Sequence, residues 1–168
     1  MGARRVGDLE VGQDLAFERR SWAVQRAAWA AICLVLLAAL LGLLGGAGPL
    51  ARARASAGPL EVEYSRFARH GAPAELVIRL GREAARGGEA RVWIEQAYLD
   101  GLRVATITPP PARVEAGDGR QTFIFALAEG DAPATIVFHT TPQTLGGRAG
   151  RLGLPGGPEL SLGQLVYP

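Results

Sequence analysis

The apolar positions of this chain change period once, and the change divides it into two regimes. From Ala27 to Leu44, 18 consecutive residues carry no charge, and the uncharged run extends to Ala51. A helix rises about 1.5 Å per residue, so roughly 20 residues cross a hydrocarbon core of about 30 Å. The run is long enough to span a bilayer. Beyond Pro59 the period is two. Leu60, Val62 and Tyr64 alternate with Glu61, Glu63 and Ser65, and Ala74, Leu76, Ile78 and Leu80 alternate with Glu75, Val77 and Arg79. Each stretch reads as a half-buried strand.

Further strands follow at short intervals. A Gly- and charge-rich turn at Gly81–Glu89 leads to Val92-Trp93-Ile94 and on to Tyr98-Leu99. Asp100-Gly101 separates that run from Leu102-Arg103-Val104, a strong short-range hairpin signal. Pro109, Pro110 and Pro111 stop the next strand. After the turn Gly117-Asp118-Gly119 the alternation resumes at Phe123, Phe125 and Leu127, then at Ile136 and Phe138, and weakly at Leu152/Leu154 and Leu160/Leu162. This pattern predicts a mainly β fold, an exported antiparallel β-sandwich of immunoglobulin-like kind with seven or eight strands, behind one transmembrane helix. The predicted divisions are a cytoplasmic segment 1–21, the helix 22–48, an exposed tether 49–59 and the sandwich 60–168. Asp14 is placed to cap a helix starting near Leu15, and Gly48-Pro49 to end it.

Two readings of the apolar run compete. A secretory signal has an apolar core of about 7–15 residues behind a short basic segment; here the core is longer and 26 residues precede it. Both features favour a retained anchor. Against them, Ala51–Gly58 contains overlapping A-x-A patterns of the kind a signal peptidase accepts. Cations within about 20 residues of the span set orientation: Arg19, Arg20 and Arg26 precede it, with Arg5 at the edge, against Arg52, Arg54, Arg66 and Arg69 after it, the last two counting less because they fall in the folded domain. Trp22 and Trp29 bracket Arg26, as indoles and a snorkelling cation do at a membrane interface. The expected location is the inner membrane, N-terminus in the cytoplasm and C-terminal domain in the periplasm. The lipid bilayer is thus the first partner.

Composition narrows the chemistry. All 18 basic residues are arginine, and neither lysine nor asparagine occurs, as expected of a GC-rich bacterial genome. Beyond residue 50 there are 13 arginines against 12 acids, without the concentrated basic surface of a nucleic-acid binder, so no nucleic-acid partner is expected. The one cysteine, Cys33, lies inside the apolar run, which leaves the exported part without a disulfide or thiolate ligand.

A hydrolytic triad needs a nucleophile, a base and an orienting acid. Ser56, Ser65 and Ser161 are candidates, but none stands in a G-x-S-x-G turn, and the only histidines are His70 and His139. The histidines are too isolated to cluster as metal ligands, so neither catalytic residues nor a metal or other cofactor is expected. Gly146-Gly147-Arg148-Ala149-Gly150-Arg151 has the glycines of a phosphate-cradling loop without its Lys-Ser/Thr ending, and reads as a flexible loop or irregular edge. In the membrane helix Ala38, Gly42 and Gly46 recur every four residues, a small-xxx-small stripe for packing an integral membrane partner or a second copy. Past the tether, Arg66 and Arg69 lie among aromatics and are candidate partner contacts.

The layout of one helix, a short tether and an exported sandwich resembles that of bacterial single-pass accessory and assembly proteins. Copper-delivering oxidase assembly factors share it, but they depend on exported cysteines, which this chain lacks. No motif identifies a family. The expected function is that of a non-enzymatic accessory subunit or assembly factor of a membrane protein complex. The alternative is a tethered ligand-binding or enzymatic sandwich.

Overall fold

A computed structural model describes residues 15–43, 48–127 and 134–168, and among them α1 spans Leu15–Leu40. Asp14, expected as the cap, lies outside those residues. The 20-residue window Ser21–Leu40 is long and apolar enough to cross a membrane or to act as a signal sequence, and none of it is buried.

The helix stops well before Gly48, and the cause is Gly42. Its φ of 84° is left-handed, the Gly42 N–H donates to the Ala39 carbonyl, and the Leu43 N–H donates to the Ala38 carbonyl, both at 3.0 Å. These are the paired bonds of a Schellman cap with glycine just past the helix end. The chain then packs back on itself: the Leu50 N–H reaches the Leu41 carbonyl at 3.1 Å. A Cβ on Gly42 would stand 2.8 Å from Gly48 Cα and 2.9 Å from Ala51 Cβ. Gly42→Ala is therefore expected to lower stability by more than the roughly 1–2 kcal/mol that a left-handed alanine costs alone. Gly71→Ala supplies that baseline, because Gly71 has φ 71° and open space around it. Denaturant unfolding of the detergent-solubilised chain compares them, and equal losses would contradict the packing.

Two compact units divide the chain, one ending at Leu37 and one running from Ala38 to Pro168. In the second unit the strands among the described residues are β1 (Arg52–Ala57), β2 (Leu60–Ser65), β3 (Phe67–Arg69), β4 (Ala74–Leu80), β5 (Ala85–Arg86) and β6 (Glu89–Glu95). A one-turn helix, α2 (Gln96–Leu99), precedes β7 (Leu102–Thr108), β8 (Arg113–Gly117), β9 (Arg120–Ala126), β10 (Ala134–Pro142), β11 (Gly146–Gly153) and β12 (Glu159–Tyr167). Five strands form one sheet in the order β1-β2-β4-β10-β7; the second runs β3-β12-β11-β6-β9-β8, with β5 on β6. The fold is mainly β and sandwich-like. Its twelve described strands exceed the seven or eight expected of an immunoglobulin-like domain, and β3 pairs with β12 in parallel, not antiparallel.

Alternation explains the core. Leu60, Val62, Leu76, Ile78, Leu80, Ile136 and Phe138 face inward from the first sheet, and Ala90, Val92, Ile94, Phe123, Phe125, Leu152 and Leu162 from the second. Phe123 and Phe138 meet across the layers edge to face, with centroids 5.1 Å apart. The β2 strand changes sheet at Arg66. Its N–H donates to the Ala51 carbonyl beside the first sheet, and its carbonyl accepts from the Leu165 N–H in the second, both at 2.8 Å.

Four expectations need correction. The predicted tether contains β1, whose Ala53, Ala55 and Ala57 face Tyr64, Val62 and Leu60 in register; alanine is the small inward residue that sequence hydropathy undervalues. Asp100-Gly101 closes no hairpin, since β6 and β7 lie in different sheets. Tyr98 and Leu99 are both buried, which adjacent residues of a strand cannot achieve on one face, and α2 turns both inward. The Asp-Gly hairpin occurs instead at Asp118-Gly119, with φ of 52° and 69° between β8 and β9. The glycine-rich stretch from Gly146 is no loose loop but β11, paired along its length with β12 and at its end with β6.

Candidate functional site

The outer face of the first sheet follows from register. Arg52, Arg54 and Ser56 on β1 stand beside Ser65, Glu63 and Glu61 on β2, and Glu61 faces Arg79 on β4. This brings three guanidiniums to one carboxylate. Arg52 Nη1 reaches Glu63 Oε1 at 3.0 Å, Arg54 Nε reaches Oε2 at 3.2 Å, and Arg79 Nη1 reaches Oε2 at 3.4 Å. Arg79 also holds Glu61 at 3.2 Å. Glu63 is buried although it belongs to the outer face, because the arginine side chains lie over it. Its carboxyl sits below the ordinary 4.5: the hydrogen bond from Arg52 is the main cause, Arg54 and Arg79 add to it, and burial opposes it.

A group whose folded pKa is depressed contributes stability that is complete above its unfolded value and disappears as pH falls through the folded value. The melting temperature is thus expected to drop more steeply below pH of about 4 in the wild type than in Glu63→Gln. Parallel thermal scans from neutral to acid check this. Identical slopes would mean that the arginines do not hold the carboxylate in solution.

Beside this cluster lies a groove of about 290 Å³ lined in part by Arg52, Glu63, Ser65, Glu75 and His139. It gathers a serine, a histidine and an acid, and the register decides what they can do. Tyr64 faces Leu76 and Glu75 faces His139, so Glu75 lies between Ser65 and His139. Two strand spacings, about 9–10 Å, part the serine from the histidine. A triad needs the histidine in the middle. His139 Nδ1 is 3.6 Å from Glu75 Oε1, and both side chains are about half exposed. His70 is exposed and its Nε2 lies 3.1 Å from the Gln143 carbonyl. Among the described residues no group of three or more His, Cys, Asp or Glu could hold a metal ion.

Arg26 lies over the Trp22 ring at 4.4 Å, and Trp22 and Trp29 are exposed. Ala38 supplies a capping carbonyl and Gly42 is the capping glycine, while Gly46 lies outside the described residues. Gly42 thus stands past the end of α1, and the expected helical stripe of Ala38, Gly42 and Gly46 is not a continuous helix face. Arg66 and Arg69 are exposed, as expected.

Sequence reasoning missed two polar groups. Glu63 could have been found only by aligning Arg52, Arg54 and Arg79 around it, which takes three strands in register. Arg148 turns inward near the start of β11, where Nη1 donates to Thr144 Oγ1 at 2.8 Å and Nη2 to the Tyr98 carbonyl, with the guanidinium 5.3 Å from the Tyr98 ring. Burial pushes the Tyr98 hydroxyl up to about 12, with Arg148 opposing. No protein-family model matches the chain, and no curated protein matches it either.

Proposed function

We propose that the protein is a non-enzymatic, single-pass protein of the bacterial inner membrane, with its N-terminus in the cytoplasm. Its sandwich stands in the periplasm as an accessory subunit or assembly factor of a membrane protein complex. The observation that carries this reading is the place of β1. The A-x-A patterns of Ala51–Gly58 lie in and around a paired strand, with Ala51 and Ala53 buried and the Ala51 carbonyl bonded to Arg66. Cleavage after Ala57 would remove β1 together with Arg52 and Arg54, two of the three partners of Glu63. Retention of β1 keeps the apolar helix attached. Glu63, already held by three cations, is a poor proton donor or acceptor, which favours a binding role over catalysis.

Intact mass of the membrane-extracted protein should correspond to the 17.6 kDa full chain. A mature N-terminus at Gly58 would make the domain a free periplasmic protein and end the anchor reading. Gentle detergent purification should then bring down an integral membrane protein in fixed ratio. Recovery of the chain alone under several mild detergents would end the accessory reading.

A further inference from the structure

Every described arginine side chain from Arg52 onward has a partner in the fold except Arg66, Arg69 and Arg103. Arg52, Arg54, Arg79, Arg91, Arg113 and Arg151 pair with acids, Arg120 lies over Trp93, Arg148 bonds Thr144 and Tyr98, and Arg82 has a contact of its own. Two of the three exceptions border one surface, the outer face of the second sheet where β3, β12 and β11 run side by side. Register puts Phe67, Leu165 and Gly147 in one row, Gly163 and Ala149 in the next, and Arg69 beside Tyr167 at the end. Arg66 precedes Phe67 at the corner. Leu165 is 46% exposed and Phe67 is half-buried.

The glycines of this face differ from their neighbours in β11. A Cβ on Gly150 would strike Tyr98 at 2.4 Å and one on Gly153 would stand 2.9 Å from the Trp93 ring, so internal packing demands both. Gly147 and Gly163 have nothing within 4 Å of a Cβ and no positive φ. Glycine inside a strand weakens it unless something approaches the backbone closely. On the Cβ side of both residues nothing in the described chain does so; the one close neighbour is the Tyr64 hydroxyl, which accepts from the Gly163 N–H at 3.0 Å.

We propose that this face, formed by Phe67, Leu165, Gly147, Ala149 and Gly163 and bordered by Arg66 and Arg69, docks an apolar protein segment that carries carboxylates. The apolar residues of the segment lie on the flat strip, and its acids reach the two arginines. A second copy does not fit, because in an isologous contact the facing surface would again be Phe67, Leu165, Gly147, Ala149 and Gly163, none of which is a carboxylate to meet Arg66 and Arg69. The inference deepens the accessory-protein reading and rests on it for the existence of a partner.

The test uses the full chain in detergent and four fluorescent peptides of equal length: alternating Leu/Asp, Leu/Arg, Leu/Ser and Ser/Asp. The Leu/Asp peptide should bind at least about tenfold more tightly than the others. Arg66→Glu with Arg69→Glu should remove that advantage and favour Leu/Arg, Gly163→Val should weaken Leu/Asp binding, and Arg103→Glu should change nothing. Near-ultraviolet circular dichroism confirms that each variant is folded. Equal binding of all four peptides, an equal loss with Arg103→Glu, or a crosslinker at position 165 joining two copies would each overturn the proposal. Binding of anionic vesicles in preference to the Leu/Asp peptide would overturn it too. Native co-purification separates the two readings. A membrane partner that stays bound to the double arginine variant keeps the accessory role and removes this surface. Peptide binding without any co-purifying protein keeps the surface and removes the accessory role.

Discussion

Phe138→Ala is expected to lower the stability of the sandwich by about 3–5 kcal/mol, the usual range for deleting a fully buried phenylalanine. The side chain is inaccessible to solvent on β10, which lies between β4 and β7. Its ring meets Phe123 from the opposite sheet at an interplanar angle of 86°. Truncation therefore loses transfer energy and opens a cavity between two rigid layers that cannot close over it. Denaturant unfolding in detergent measures the loss, and the double variant with Phe123→Ala should show a coupling of about 0.5–1.5 kcal/mol from the edge-to-face pair. Val114→Ala, at a half-exposed position, should stay within about 0.5 kcal/mol. Comparable losses at positions 114 and 138 would mean that the layers do not pack as described.

The second large effect comes from adding atoms. Gly150→Ala is expected to destabilise by about 1–3 kcal/mol, the cost of overpacking a filled interior. The new methyl would lie 2.4 to 2.7 Å from Cβ, Cγ and Cδ2 of Tyr98, the least movable part of that side chain, and Tyr98 is only 2% exposed. Relief requires shifting α2 or the β11 backbone. Gly147→Ala, three residues away with open space above it, should be neutral or mildly stabilising, since alanine spends less chain entropy than glycine. A Gly150→Ala protein as stable as Gly147→Ala would show that Tyr98 does not lie against the strand.

Legibility in the sequence follows the size of the inward side chain. Leu60/Val62/Tyr64 and Leu76/Ile78/Leu80 announced their strands because every second residue was large and apolar. Arg-Ala-Arg-Ala-Ser-Ala announced nothing, since its inward residues are alanines and only the neighbouring β2 makes it a strand. Gly146–Gly153 was hidden by the same physics carried further: its glycines admit Tyr98 and Trp93, and those contacts exist only after folding. The end of α1 was misplaced because Gly42 in a run of Leu, Ala and Gly resembles any membrane glycine until its φ is known. Of the sites, the exposure of Arg66 and Arg69 was readable from local context. The burial of Glu63 and the flat strip beside Leu165 were not, because each is assembled from three strands.

The crossing at Arg66 also carries a kinetic consequence. The Gln164 Nε2 to Ser65 carbonyl bond and the Gly163 N–H to Tyr64 hydroxyl bond each join residues 99 positions apart. The entropy of closing such a loop grows only as its logarithm, but it is lost before the contacts it permits can repay it. The hairpin of β1 and β2 can form locally, whereas the corner that locks the two layers together must wait for β12. Refolding is thus expected in the milliseconds-to-seconds class of non-local β domains, and until that strand arrives β3 and β11 present unpaired backbone to whatever surrounds the emerging chain.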